Sequence, residues 1–138
     1  MSVRVLIVDD HAAMRRSLTQ ALASEPDLEL VGEAADGASA VKLAEELKPD
    51  LIIMDVVLPR LNGIEATRRI KREHPEIQIV GLSAYPSKGY AARMMDAGAD
   101  AYVIKGENGA ELLRAVRTVL KGRTYLSPGI DDLDTWNG

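Results

Sequence analysis

The sequence contains no cysteine in its 138 residues, which removes disulfides, thiolate nucleophiles and cysteine-based metal sites from consideration. No apolar run approaches the roughly 20 residues that a membrane-spanning helix needs. The first residues also lack a basic segment followed by an apolar one, so nothing in them reads as a secretion signal. A cytoplasmic location with no membrane partner is therefore the expectation. Positive charge is not in excess either. A net charge of −4 weighs against direct nucleic-acid binding by this segment, because such binding rests on neutralising phosphates. The chain has no GxGxxG and no P-loop lysine motif, which leaves nucleotide binding without support. The remaining composition, 46% hydrophobic and 28% charged, is that of an ordinary globular chain long enough for one substantial core.

Short aliphatic runs alternate with segments of helical period. Val3–Val8, Leu28–Gly32, Leu51–Met54, Ile77–Leu82 and Ala101–Ile104 are strand-sized, and several are continuous rather than alternating, which suits parallel strands covered on both faces. Between them, Met14, Leu18, Ala21 and Leu22 share one helical face, as do Val41, Ala44 and Leu47, and Ile64, Thr67 and Ile70. A helix over 87–97 would present Ala91, Met94 and Met95 to the core and stop at Gly98. Leu112, Leu113, Val116, Val119 and Leu120 give the clearest apolar stripe. Five β-α units in succession predict a doubly wound parallel sheet with right-handed crossovers, most simply a flavodoxin-like (βα)5 domain of strand order 2-1-3-4-5. A fragment of a larger Rossmann-like domain is the alternative. The expected boundary falls at residue 122: 1–122 form the domain, and 123–138 read as a linker or terminal extension, broken at Pro128-Gly129 and partly mobile.

The polar residues fall into place on that fold. Asp9 and Asp10 close the first strand, Asp55 the third, Ser83 the fourth and Lys105 the fifth. All lie at the carboxyl ends of parallel strands, the edge where open α/β sheets bind ligands. With strands one and three adjacent, the aspartates converge. Clustered carboxylates require a proton or a cation, and an oxygen-only donor set favours a hard ion, Mg²⁺ or Mn²⁺. Mg²⁺ commonly shares its coordination with a phosphate, for which Lys105 and the Ser83 hydroxyl are suitable ligands. Asp55 could then take a phosphoryl group as an acyl phosphate.

These residues carry a resemblance. "VDD" after strand one, "MDVVLPRLNG" after strand three, "LSAY" after strand four and "YVIKG" in strand five resemble the receiver domain of two-component response regulators over roughly residues 3–122. The following "GRTYLSP" is similar to the linker of NarL/FixJ-type regulators, which continue into a helix-turn-helix DNA-binding domain. The resemblance implies a phosphorylation-controlled switch that accepts a phosphoryl group on Asp55 from a sensor histidine kinase. It implies Mg²⁺ held by Asp10, Asp55 and the backbone carbonyl of Val57, with Asp9 acting largely through water. Lys105 would pair with the phosphoryl group and Ser83 would hydrogen-bond it. Tyr102 would change rotamer as Ser83 moves, altering the surface that includes the Lys88–Met95 region. A homodimer on phosphorylation and DNA contact only through an output domain outside this chain are the partners implied. Catalysis would extend no further than the domain's own phosphorylation and dephosphorylation.

Other readings of the same residues run beside these. Asp10 alone would be a helix cap, Asp55 a loop acid before Pro59, and Ser83 a turn hydroxyl. His11 reads as a helix-start residue facing solvent, and His74 as a helix end. The cluster Arg68, Arg69, Lys71 and Arg72 reads as a solvated helix face. Gly106 stands where many receivers have a cis-proline, so a trans peptide or a looser loop is expected there. An Mg²⁺-dependent phosphohydrolase is a second function, but its leaving-group acid would be expected where Val57 stands. A pseudo-receiver that binds without chemistry is the third.

Overall fold

The computed structural model describes residues 2–106 and 109–131. The chain alternates strand and helix as the periods require: β1 Val3–Val8, α1 Ala12–Ala23, β2 Leu28–Ala34, α2 Gly37–Leu47, β3 Leu51–Asp55 and α3 Gly63–Glu73. It continues through β4 Gln78–Ser83, α4 Lys88–Asp96, β5 Ala101–Ile104, α5 Ala110–Leu120, β6 Tyr125–Leu126 and α6 Pro128–Asp131. The strands form one parallel sheet in the order β2-β1-β3-β4-β5-β6. The expected 2-1-3-4-5 arrangement is present, and a sixth, two-residue strand extends it beyond β5.

Both faces of the sheet are covered, which is why its central strands are continuously apolar. Leu6, Val8, Ile52 and Met54 point to one layer, where they meet Ala40, Ile70 and Met94. Val5, Ile7, Leu51 and Ile53 point to the other and meet Leu18, Leu22, Leu112 and Val116. Strand residues of this kind are inaccessible to solvent. Each such side chain contributes roughly 1.5–3 kcal/mol by leaving water.

Local signals set the helix ends. Asp36, Asn62 and Ser87 cap α2, α3 and α4, each accepting the backbone N–H three residues on. Gly98, at φ +113, follows the last turn of α4 in a conformation glycine adopts without strain. His74 ends α3, as the sequence suggests, and Asn62-Gly63 opens it.

The C-terminal segment differs from the linker expected of it. Tyr125 and Leu126 pair with Ala101 and Tyr102 of β5, Ser127 is buried, and Ile130 packs into the core beside Tyr102. A strand of two residues is too short to leave a period in the sequence. The remainder of that expected extension, 132–138, lies outside the described residues. No cis peptide bond occurs among the described residues, in keeping with Gly106. No helix among them is long and apolar enough to cross a membrane.

Candidate functional site

Register brings the acids together. β1 and β3 are neighbours with Val8 opposite Met54, so the residues that follow, Asp9 and Asp55, emerge side by side. β4 and β5 pair with Ser83 opposite Ile104, which puts Lys105 just past the same edge. The Lys105 backbone N–H donates to the Ser83 carbonyl at 2.7 Å and fixes that position.

Asp9 is fully buried and Asp55 nearly so, whereas the Asp10 side chain is 31% exposed. Lys105 Nζ reaches both buried acids. It donates to Asp55 Oδ2 at 3.2 Å and stands 3.0 Å from Asp9 Oδ2. The second contact is an ion pair outside hydrogen-bonding alignment, so Asp9 Oδ2 has no hydrogen bond. The other oxygens are engaged by backbone: Asp9 Oδ1 accepts the His11 N–H at 2.9 Å, and Asp55 Oδ1 accepts the Val57 N–H at 3.3 Å. His11, not Asp10, occupies the cap position of α1. Its ring is exposed, with Nδ1 3.1 Å from Asp10 Oδ1.

The electrostatics are unbalanced. Burial pushes the Asp55 carboxyl above its ordinary range; Lys105 draws it back and the neighbouring Asp9 charge raises it again. Burial alone would lower Lys105, but its contacts with Asp9 and Asp55 outweigh that and raise it. One ammonium therefore serves both buried carboxylates, and Asp10 beside them adds a third acid that it does not reach. The donor atoms of Asp9, Asp10, His11 and Asp55 lie within 4.8 Å of one another, and the oxygen-rich set suits a hard divalent cation. The buried Asp9 Oδ2 gives that fit its clearest support, because a carboxylate oxygen removed from water with an ion pair but no hydrogen bond is incompletely compensated.

Ser83 is buried beside this cluster, its Oγ accepting the Tyr85 N–H at 3.0 Å. Tyr102 also points inward. Its ring is fully buried, and its hydroxyl donates to the Tyr85 carbonyl at 2.8 Å. Tyr85 itself is exposed, as is the side chain of Val57.

Two contributions escaped the sequence reading. Gly63 packs against the backbone at Asp55 and Val56 so closely that any Cβ would collide with the Asp55 carbonyl. Its N–H donates to the Val56 carbonyl at 2.8 Å, which holds the turn after β3 closed. The only signal for it in the sequence is Asn62-Gly63 ahead of a helical period, which marks a turn but not the close approach to Asp55. Ser127 and Glu111, which meet behind Lys105, left no signal at all. A second histidine-acid group, Glu45, Glu73 and His74 between α2 and α3, has its histidine in contact with Glu45 at 2.6 Å.

Known proteins resemble this chain over most of its length. The family described as "Response regulator receiver domain" matches residues 5–117. The response regulator GacA of Pseudomonas viridiflava is 42% identical over 128 residues, covering 93% of this chain and 60% of that protein. The response regulator protein VraR of Staphylococcus epidermidis is 37% identical over 130 residues, covering 94% of this chain and 62% of that one. The chain thus spans about 60% of the length of these relatives. Among solved structures, a LuxR-family two-component response regulator from an Aurantimonas species superposes with a TM-score of 0.90 at 35% identity, covering 95% of this chain and 94% of that one. The response regulator domain of Thermotoga maritima CheB gives a TM-score of 0.80 at 36% identity, covering 88% of this chain and 98% of that one. With the matched family running from β1 through β5 and across the acidic edge, this chain belongs to the response regulator receiver domain family.

Proposed function

We propose that the domain is a phosphorylation-controlled switch that accepts a phosphoryl group on Asp55 from a phosphohistidine of a sensor kinase, as the receiver part of a transcriptional regulator. An Asp55 carboxylate oxygen attacks phosphorus, the new O–P bond forms as the donor's N–P bond breaks, and the departing imidazole keeps the bond's electron pair and takes a proton. The observation that carries the reading is the pairing of Lys105 with both buried acids while Asp9 Oδ2 accepts no hydrogen bond. Mg²⁺, held by Asp10, Asp55 and the Val57 carbonyl with Asp9 behind them, would offset negative charge on the transferring phosphoryl oxygens.

The chain's own groups do the rest. Lys105 exchanges its contact with Asp55 for one with the phosphoryl group, and the Ser83 hydroxyl leaves the Tyr85 N–H to hydrogen-bond it. Tyr85 is bound at its N–H by Ser83 and at its carbonyl by Tyr102. Movement of Ser83 therefore reaches Tyr102 and the start of α4 through one residue, which supports a readout on that face and pairing of phosphorylated copies there. DNA contact falls to an output domain outside this chain.

Phosphoramidate, which carries the same N–P bond, tests the nucleophile. Incubation with Mg²⁺ should add one phosphoryl group that neutral hydroxylamine removes, as expected of an acyl phosphate. A hydroxylamine-resistant adduct would place the group on a hydroxyl such as Ser83 and overturn the assignment.

A further inference from the structure

The loop after β5 carries Lys105, and the C-terminal segment holds it from outside the acidic cluster. β6 runs parallel to β5, with the Tyr125 N–H on the Asp100 carbonyl at 3.2 Å and the Ser127 N–H on the Tyr102 carbonyl at 3.0 Å. The next rung of such a ladder would place the Ile104 N–H on the Ser127 carbonyl. That carbonyl is taken, because the chain turns into α6 at Pro128 and the Ile130 N–H bonds to it at 2.9 Å. The Ser127 hydroxyl replaces it: Oγ accepts the Ile104 N–H at 2.9 Å. The same hydroxyl donates its proton to Glu111 Oε2 at 2.9 Å, and the Tyr125 hydroxyl donates to that oxygen at 2.9 Å as well.

The placement of these bonds is specific. Ile104 immediately precedes Lys105, and Glu111 sits in the first turn of α5, where the loop ends. Ser127, with 2% of its surface exposed, thus grips both ends of the loop that carries Lys105. On the opposite side the Lys105 N–H is held by Ser83 of β4. The backbone around Lys105 is fixed between two strands, one of which belongs to the C-terminal segment.

We propose that Ser127 is a positioning residue for Lys105, acting through the Ile104 N–H and the Glu111 carboxylate, and that docking of the segment from Tyr125 onward is coupled to engagement of Lys105 at Asp55. The inference rests on the role given to Lys105 above. Because such coupling is reciprocal, a phosphoryl group that draws on Lys105 alters the docking of β6, and loosening β6 weakens the hold of Lys105 on the phosphoryl group. The segment is then part of the switch and the route by which its state reaches chain beyond it.

The test uses the full chain and the variants Ser127→Ala, Ser127→Thr and Glu111→Gln. Phosphoryl incorporation from acetyl phosphate at saturating Mg²⁺ is timed by intact mass, and Mg²⁺ affinity and Ile104 amide exchange are measured in parallel. Ser127→Ala is expected to slow incorporation about three- to tenfold, the effect of one lost hydrogen bond. It should speed exchange at Ile104 and leave Mg²⁺ affinity unchanged. Ser127→Thr, which keeps the hydroxyl, should restore the rate, and Glu111→Gln should fall between. Incorporation at the wild-type rate in Ser127→Ala, with Ile104 exchange accelerated, would reduce Ser127 to a structural role and overturn the inference alone. A parallel loss of Mg²⁺ affinity and melting temperature would likewise overturn it, as general loosening. No incorporation in the wild type would instead overturn the proposed function, and the role of Lys105 with it.

Discussion

Lys105 Nζ lies 3.2 Å from Asp55 Oδ2, an ammonium just past β5 and a carboxylate at the end of β3, strands that are not neighbours in the sheet. The pair bridges the edge over β4, and Asp9 makes it a shared contact rather than a closed one. A closed pair would satisfy itself. The shared contact leaves negative charge unmatched at the site.

Replacing Asp55 with asparagine should stabilise the metal-free domain at neutral pH. The folded-state Asp55 carboxyl titrates above its ordinary value, chiefly through burial. Its contribution to stability is therefore present below the unfolded value of about 3.9 and is lost as pH rises through the folded value. The amide removes that loss while Lys105 keeps Asp9. The gain should be about 1 kcal/mol at pH 7, or about 4 °C in melting temperature, and should vanish near pH 4. Melting curves across that range check the sign; a variant that melts lower at neutral pH would show the charge pair to be net stabilising.

Mg²⁺ should stabilise the wild type by mass action, by about 2.7 kcal/mol at a concentration a hundred times its dissociation constant. Asp10→Asn should nearly abolish the stabilisation by removing a direct ligand, and Asp9→Asn, at a residue that acts from behind the ligands, should weaken it. Thermal melts with and without the ion decide it. An equal Mg²⁺ response in wild type and Asp10→Asn would place the ion elsewhere.

Tyr102→Phe should release the segment that begins at Tyr85. The lost hydroxyl leaves the Tyr85 carbonyl without its 2.8 Å donor. The cost should be about 1 kcal/mol, small because Tyr85 is exposed and water can replace the bond. Amide exchange near residues 85–90 should accelerate while exchange in β1 and β3 stays unchanged. Uniform acceleration would indicate a core defect instead.

Gly63→Ala should be the most damaging small change near the site. The added Cβ meets the Asp55 carbonyl, which as backbone cannot swing aside. A loss of about 2–3 kcal/mol is expected, and the displaced turn should also slow phosphoryl incorporation. Chemical denaturation of the variant measures the first effect. A cost below about 0.5 kcal/mol would show that the turn relaxes freely.

Much of this architecture is legible in the sequence, for physical reasons that differ from element to element. β1 and β5 are bounded as their apolar runs suggest, because polar residues with other tasks follow each directly. β2 extends past Gly32 to Ala34, since pairing with Ile7 and Val8 continues where its own apolar run has stopped. The acids could be placed because strand ends in a parallel sheet share one edge, so topology alone brings Asp9 and Asp55 together. Ser127 could not be found that way. Its partners lie 23 residues away at Ile104 and 16 away at Glu111, and the need for its hydroxyl arises only when Pro128 turns the chain and Ile130 occupies its carbonyl. Tyr102 is implied only by the family resemblance, and its partner, the Tyr85 carbonyl, is backbone and leaves no mark in the sequence.

The central claim, that Asp55 is an Mg²⁺-dependent phosphoacceptor, is tested most directly by intact-protein mass after incubation with acetyl phosphate. Wild type and Asp55→Ala are each treated with Mg²⁺ and with chelator. The account predicts one phosphoryl adduct in wild type with Mg²⁺ and none in the other three samples. A folded wild type that stays unmodified with Mg²⁺, or an adduct that persists in Asp55→Ala, would contradict it.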